Sequence, residues 1–328
     1  GATYNLSTTD GGLTNSGQIT TTGDIEVTGG DLTNNGQMST GYTSVTDGNL
    51  VNGGAITGNG GVEVYGGNFT NNGSMAVSYV ETTNGSIVNN GTITGADWFE
   101  TYSDASDPSF TKGADYSITN AGTITYTGGW LDFEANDQWN QNDANGNWSS
   151  LNGSTGSGTN TGTLQFASGE NLWVSVNNNI SLGGKLQTVS GTTAKAVSAS
   201  NPLGGLELYA GNYDYSDAFT STGTLTVSTA LAATGNNYLA GNQVNLLSNV
   251  SSVDGSGNPA GNVSIVAGAQ QTGDSAYAVR VGTGVTVSGD SIRVNGDVAG
   301  DNPNVLVNGT LSANSILFGN NGGAISNL

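Results

Sequence analysis

The chain contains no cysteine and no histidine. Without cysteine there are no disulfides and no thiol chemistry. Without histidine there is no Ser-His-Asp triad, no imidazole general base and no histidine-based zinc site. Basic residues are almost missing: Lys112, Lys185, Lys195, Arg280 and Arg293 are the full set, and they are scattered against 25 acidic residues. A formal charge of −20 with no basic stripe argues against nucleic acid and against anionic lipid as partners. No apolar run reaches the length of a membrane span, so membrane insertion is not expected. Charged residues make up only 9% of the chain, too few for charge-driven disorder. The chain opens Gly-Ala-Thr-Tyr already in repeat-like sequence, which reads as a processed form without its leader.

What the sequence has instead is a repeat. The blocks LTNSGQIT, LTNNGQMS, LVNGGAIT, FTNNGSMA and IVNNGTIT begin at Leu13, Leu32, Leu50, Phe69 and Ile87, spaced 19, 18, 19 and 18 residues. ITNAGTIT follows from Ile118 and the weaker GTNTGTLQ from Gly158. A period near 20 residues marks a solenoid, in which one coil cannot bury its apolar face alone. Each block carries two apolar residues, such as Leu13 and Ile19 or Leu50 and Ile56. A further pair alternates between blocks, as in Ile25 and Val27 or Val62 and Val64. Period-two alternation predicts short strands with one face inward. Gly29-Gly30, Asp47-Gly48, Gly66-Gly67 and Asn84-Gly85 punctuate the runs with residues that accept the positive φ of tight corners. Gly, Asn, Thr and Ser are poor in helix interiors, so a helical solenoid is excluded. The expected fold is all-β: a single-stranded right-handed parallel β-helix with coils of about 18–20 residues.

One position of the block is always asparagine: Asn15, Asn34, Asn52, Asn71, Asn89 and Asn120, with Asn160 in the weaker copy. Stacked coils would place these amides about 4.8 Å apart, close enough for a hydrogen-bonded ladder. The expected role is structural rather than a row of ligand contacts.

The period breaks at several places. Loop excursions are expected near 95–117, 134–157, 187–203 and 210–219, all on one continuous solenoid spanning residues 1–328. The first two are rich in aromatics. Trp98, Tyr102, Trp139 and Trp148 are candidates for stacking on sugar rings or for meeting a neighbouring subunit. The alternative is that these rings fold back over the solenoid flank. Beyond residue 170 the repeat is looser. Ten strands are still predicted there, from Asn171–Val176 to Ile316–Phe318.

ITNAGTITYTGGWLDFEA from Ile118, YLAGNQVNLLSNV from Tyr238 and AGNVSIVAGAQ from Ala260 resemble the coils of filamentous-haemagglutinin-type exoproteins and autotransporter passengers. That resemblance covers most of the chain. It implies a bacterial secreted β-helix, located outside the cell or on its surface, acting in adhesion, matrix or surface structure.

Catalysis is not expected. Asp24 with Glu26, Asp97 with Glu100, Asp132 with Glu134 and Asp214 with Asp217 are acidic pairs of the kind a glycosidase needs, but an acidic chain produces such pairs by chance. Asp143-Ala-Asn-Gly-Asn147 echoes half a calcium loop without the later bidentate glutamate, and both it and the stretch from Asp254 to Pro259 read as turns. No cofactor or metal is assigned; Ca²⁺ is the one ion with even a partial motif. The chain is expected to act as a structural subunit of a secreted surface fibre or matrix, its partner being another copy joined head to tail. Tyr4 and Leu6 would supply one end, and Ile316, Phe318, Ile325 and Leu328 the other. A carbohydrate- or host-binding adhesin module is the alternative, and a polysaccharide-active enzyme a more distant one.

Overall fold

The structure is a computed structural model. It describes residues 5–96, 98–104, 107–111, 114–126, 130–136, 156–211, 223–268, 277–296 and 304–319, with 130–136 described by backbone alone. Tyr4, Trp139, Trp148, Ile325, Leu328 and the Asp143–Asn147 motif lie outside these residues. The chain divides into two compact units, Gly1–Leu164 and Gln165–Leu328. Both are all-β and built as right-handed parallel β-helices, with no helix among the described residues.

In the first unit every coil runs through three short strands, one for each of three parallel faces. Face one stacks Leu6–Thr9, Ile25–Thr28, Thr43–Thr46, Val62–Tyr65, Tyr79–Thr83, Trp98–Tyr102 and Trp130–Asn136. Face two stacks the repeat blocks, from Leu13–Asn15 through Leu32–Asn34, Leu50–Asn52, Phe69–Asn71, Ile87–Asn89 and Ile118–Asn120 to Gly158–Asn160. Face three carries the second half of each block, from Gln18–Thr20 to Thr123–Tyr126. Like pairs with like across the ladder: Leu50 faces Phe69 and Phe69 faces Ile87, while Met38 faces Ile56 and Met75 faces Ile93. The inward residues Ile25, Leu32, Leu50, Ile56, Phe69, Ile87 and Ile93 are almost fully buried. Each such side chain contributes roughly 1.5–3 kcal/mol.

The corners explain the glycines and the Asn/Asp residues. After face one the chain turns through Asp10, Gly29, Asp47, Gly66 and Asn84, all with positive φ between 54° and 73°. After face two a glycine passes directly under the preceding coil. A Cβ on Gly36, Gly54, Gly73 or Gly91 would lie 2.0 Å from the carbonyl oxygen of the glycine one coil earlier, so no other residue fits.

Two of the expected excursions have different limits. Over 95–117, Trp98–Tyr102 is a regular strand of face one, with Phe99 fully buried in the core. The departure from the coil begins only after Tyr102. Asn84 clamps it: its Nδ2 donates to the Asp104 carbonyl at 3.1 Å and to Ser109 Oγ at 3.2 Å, and its Oδ1 accepts from the Asp104 amide at 2.8 Å. Tyr116 is buried, and its hydroxyl accepts from the Thr111 amide at 3.0 Å. Face one likewise reaches Asn136, taking in the first three residues of the expected 134–157 excursion.

The second unit has the same three-faced plan with longer coils. Face one runs Asn171–Val176, Leu206–Ala210, Asn237–Gly241, Asn262–Ala267, Ser291–Gly296 and Ser315–Phe318. Face two runs Ile180–Leu182, Thr224–Val227, Gln243–Leu246, Val279–Val281 and Val305–Val307. A third, four-stranded face runs Leu231–Thr234, Val250–Val253, Thr286–Ser288 and Thr310–Ser312. Register partners on face one are Leu206 with Asn237, Asn237 with Val263 and Val263 with Ile292, so the spacing of 18–20 residues is not kept there, although Leu225 with Val244 and Leu231 with Val250 still follow it. Within 187–203 the chain forms an antiparallel hairpin of Lys185–Ser190 with Thr193–Ala196, a β excursion rather than an irregular loop. Leu203 then bridges to Ala233 and starts the third face. The excursion near 210–219 leaves after Ala210; residues 212–222 lie outside the described set.

Candidate functional site

Two arrangements place polar side chains in register, and a third leaves apolar side chains partly uncovered. The first is the asparagine ladder inside the first unit. Asn15 Nδ2 donates to Asn34 Oδ1 at 2.7 Å, Asn34 to Asn52 at 2.8 Å, and Asn52 to Asn71 at 2.8 Å. The line continues from Asn71 to Asn89 at 2.8 Å, Asn89 to Asn120 at 2.8 Å and Asn120 to Asn160 at 2.7 Å. The second Nδ2 hydrogen of each goes to a main-chain carbonyl of the following coil, as from Asn34 to Ala55 at 3.0 Å. Both donors and the acceptor are therefore used within the protein. The amides are buried at the corner between faces two and three, closed to any ligand.

The second arrangement lies on the outward side of face one. Glu63, Glu81 and Glu100 follow one another in register, one per coil. Beside them runs a column in which Gly61 pairs next to Tyr79 and Tyr79 pairs with Trp98. Tyr79 and Trp98 stack with ring centroids 4.5 Å apart and planes 8° apart. Gly61 makes this possible, because a Cβ there would fall 2.3 Å from the Tyr79 ring. Glu63 collects phenolic donors: Tyr79 Oη at 2.6 Å to Oε1, Tyr65 Oη to Oε2, and Tyr42 as well. Tyr102 Oη donates to Glu81 Oε1 at 3.1 Å.

Burial first, and then the neighbouring glutamates, push these phenols up: Tyr102 to about 12, and Tyr42, Tyr65 and Tyr79 further still. Glu81 is also raised, by burial and by the Glu63 carboxylate one coil away. The patch thus joins Trp98 and Tyr102, both singled out by the sequence, with Tyr42, Glu63, Tyr65, Tyr79 and Glu81, which sequence reasoning missed. The signal was present in VEVY from Val62 and YVETT from Tyr79, whose glutamates share one place in the repeat. Most of its polar capacity is spent internally.

The third arrangement is at the ends. Leu6, Leu13 and Ile19 are half-buried, whereas their register partners Ile25, Leu32 and Met38 are buried. Ile316 is 41% exposed against 1% for its partner Ile292, and Phe318 is half-buried. Among the described residues, the strands holding these side chains pair on one side only.

Other sequence candidates resolve simply. Asp254 forms a turn, its Oδ1 accepting from the amides of Ser256 at 2.8 Å and Asn258 at 2.9 Å, and these bonds hold its carboxyl below the usual range. Among the described residues no group of three or more acidic side chains could hold a metal ion, and no helix is long and apolar enough to cross a membrane. Comparison with family models, with curated proteins and with solved structures found no match for the chain.

Proposed function

We propose that this chain is a structural subunit of a secreted bacterial surface fibre or extracellular matrix, and that it assembles head to tail on copies of itself. The observation that carries this reading is the unbroken ladder of the first unit, in which the inward side chains and the asparagine row recur from coil to coil and bury or satisfy one another within the protein. Open strand edges and uncovered apolar positions attract another chain's strands. A contact between two different ends of one molecule does not close on itself and gives a filament. The sparse charge and the internally satisfied polar rows suit a scaffold. Bacterial origin and secretion rest on the resemblance of the coils to exoprotein and autotransporter-passenger coils.

Gly17 supplies the test. The glycines after it in the column each pass under the carbonyl of the preceding coil, but a Cβ on Gly17 would meet nothing within 4 Å. Its Cβ direction leads out of the first coil, where a docking copy would place its own carbonyl. Gly17→Ala is expected to leave the monomer's thermal stability unchanged and to abolish filaments seen by electron microscopy. Removing Gly319–Leu328 is expected to do the same from the other end. Wild-type protein that sediments as a monomer at high concentration would overturn the reading.

A further inference from the structure

The second unit carries a cleft of about 250 Å³ on the outward side of its face two. Thr226, Asn245, Leu247, Arg280, Gly282 and Asn308 line it. Thr226, Asn245 and Arg280 stand one above another in register, so three successive coils each present one polar group to the same cleft. Arg280 is one of only five basic residues in the chain, it is exposed, and it makes no ion pair among the described residues. Asn245 is held weakly. Its Oδ1 accepts no hydrogen bond among the described residues, and its Nδ2 reaches Gln243 Oε1 only at 3.5 Å. That Oδ1 is shielded from solvent, so the amide has to rotate to offer it to a ligand in the cleft. Leu247, 56% exposed, adds an apolar wall.

We infer that this cleft binds an acidic saccharide, one uronic-acid residue of a carboxylated polysaccharide. The chemistry of the lining selects that class. A guanidinium presents a planar fork of donors that fits a carboxylate in two parallel bonds. Asparagine amides and a threonine hydroxyl pair donor and acceptor with neighbouring sugar hydroxyls. Leu247 suits the C–H face of a pyranose ring, and the cleft volume matches one such ring rather than an extended protein surface. The net charge of −20 repels polyanions at long range. Binding that survives this repulsion has to come from a local contact, and Arg280 is the cation placed to make it.

The inference stands apart from the end-to-end assembly, since a wild type that stays monomeric would sink that reading and leave this one measurable. The experiment uses full-length protein and oligogalacturonate, titrated by calorimetry, beside the same oligomer methyl-esterified. Wild type is expected to bind the free acid and to lose roughly tenfold or more on the ester. Arg280→Gln is expected to bind both forms equally and weakly, with unchanged circular dichroism and melting. Leu247→Ala is expected to weaken both forms in wild-type background. Equal affinity of wild type for acid and ester, unchanged binding by Arg280→Gln, or no heat from wild type at millimolar oligomer would each overturn the proposal. So would a shift in sedimentation of Arg280→Gln with no change in sugar binding, because Arg280 would then be meeting a carboxylate of a second copy.

Discussion

Asn89 donates to Asn120 at 2.8 Å across 31 residues of chain, at the same distance as Asn34 to Asn52 across 18. The insertion between them leaves the coil after Tyr102 and returns before Ile118, so the ladder does not register it. The spacing of coils is set by backbone pairing, and the amides follow it. An insertion on the outside of a corner changes neither.

A break inside the ladder should be costly. Asn71→Ala removes the donor to Asn89 Oδ1 and the acceptor of Asn52 Nδ2, both buried. The expected loss is about 3 kcal/mol in urea unfolding, against about 0.5 kcal/mol or less for Asn90→Ala, which breaks the exposed Asn90–Asn72 pair between successive coils. Equal losses would mean that the ladder adds nothing beyond the surface pair.

The glycine column should show a gradient by position. Gly54→Ala puts a methyl 2.0 Å from the Gly36 carbonyl, whereas Gly17→Ala meets nothing. Overpacking against backbone is expected to cost about 2 kcal/mol or more at Gly54 and close to nothing at Gly17. Thermal melting of the two variants side by side decides this.

The core register can be tested by charge. Ile56 is fully buried and Thr22 is exposed. Ile56→Asp is expected to prevent folding, since a buried unpaired carboxylate costs several kcal/mol. Thr22→Asp is expected to fold normally. Circular dichroism and limited proteolysis would separate the two outcomes, and a folded Ile56→Asp would disprove the inward assignment.

The tyrosine–glutamate patch predicts losses of stability with rising pH in two separate windows, one alkaline and one acidic. The phenols of Tyr42, Tyr65, Tyr79 and Tyr102 are all raised. Above about pH 10 the unfolded chain loses these protons first, so stability falls as pH rises beyond that point. Absorbance at 295 nm should show these rings ionising only as the protein unfolds. Glu81 is also raised, which means that its penalty is absent below the ordinary carboxyl range, where both states are protonated, and full above the raised value. Glu81→Gln should therefore stabilise the protein near pH 7 and change nothing near pH 4. Stabilisation of equal size at both would show that charge is not the cause.

The sequence by itself determined the parallel β-helix of the first unit, the inward positions and the asparagine ladder. The reason is that each repeat aligns with the next one, and a side chain's neighbour in space is its own counterpart one period away. All ten strands predicted beyond residue 170 have counterparts in the structure, but Ile180–Leu182, Lys185–Ser190, Thr193–Ala196, Leu231–Thr234, Asn237–Gly241, Val250–Val253 and Thr310–Ser312 went unread. In the second unit the loops between register partners vary in length, and a fixed period cannot follow them. Only the tertiary structure decided that Trp98 belongs to a rung and stacks on Tyr79 instead of riding on a loop. It alone brought Tyr42 and Tyr79 to Glu63, and Asn245 to Arg280 across 35 residues. Those contacts join residue types that do not repeat. Their meeting depends on how much chain each coil spends outside the rungs, a quantity that strand pairing fixes and composition does not.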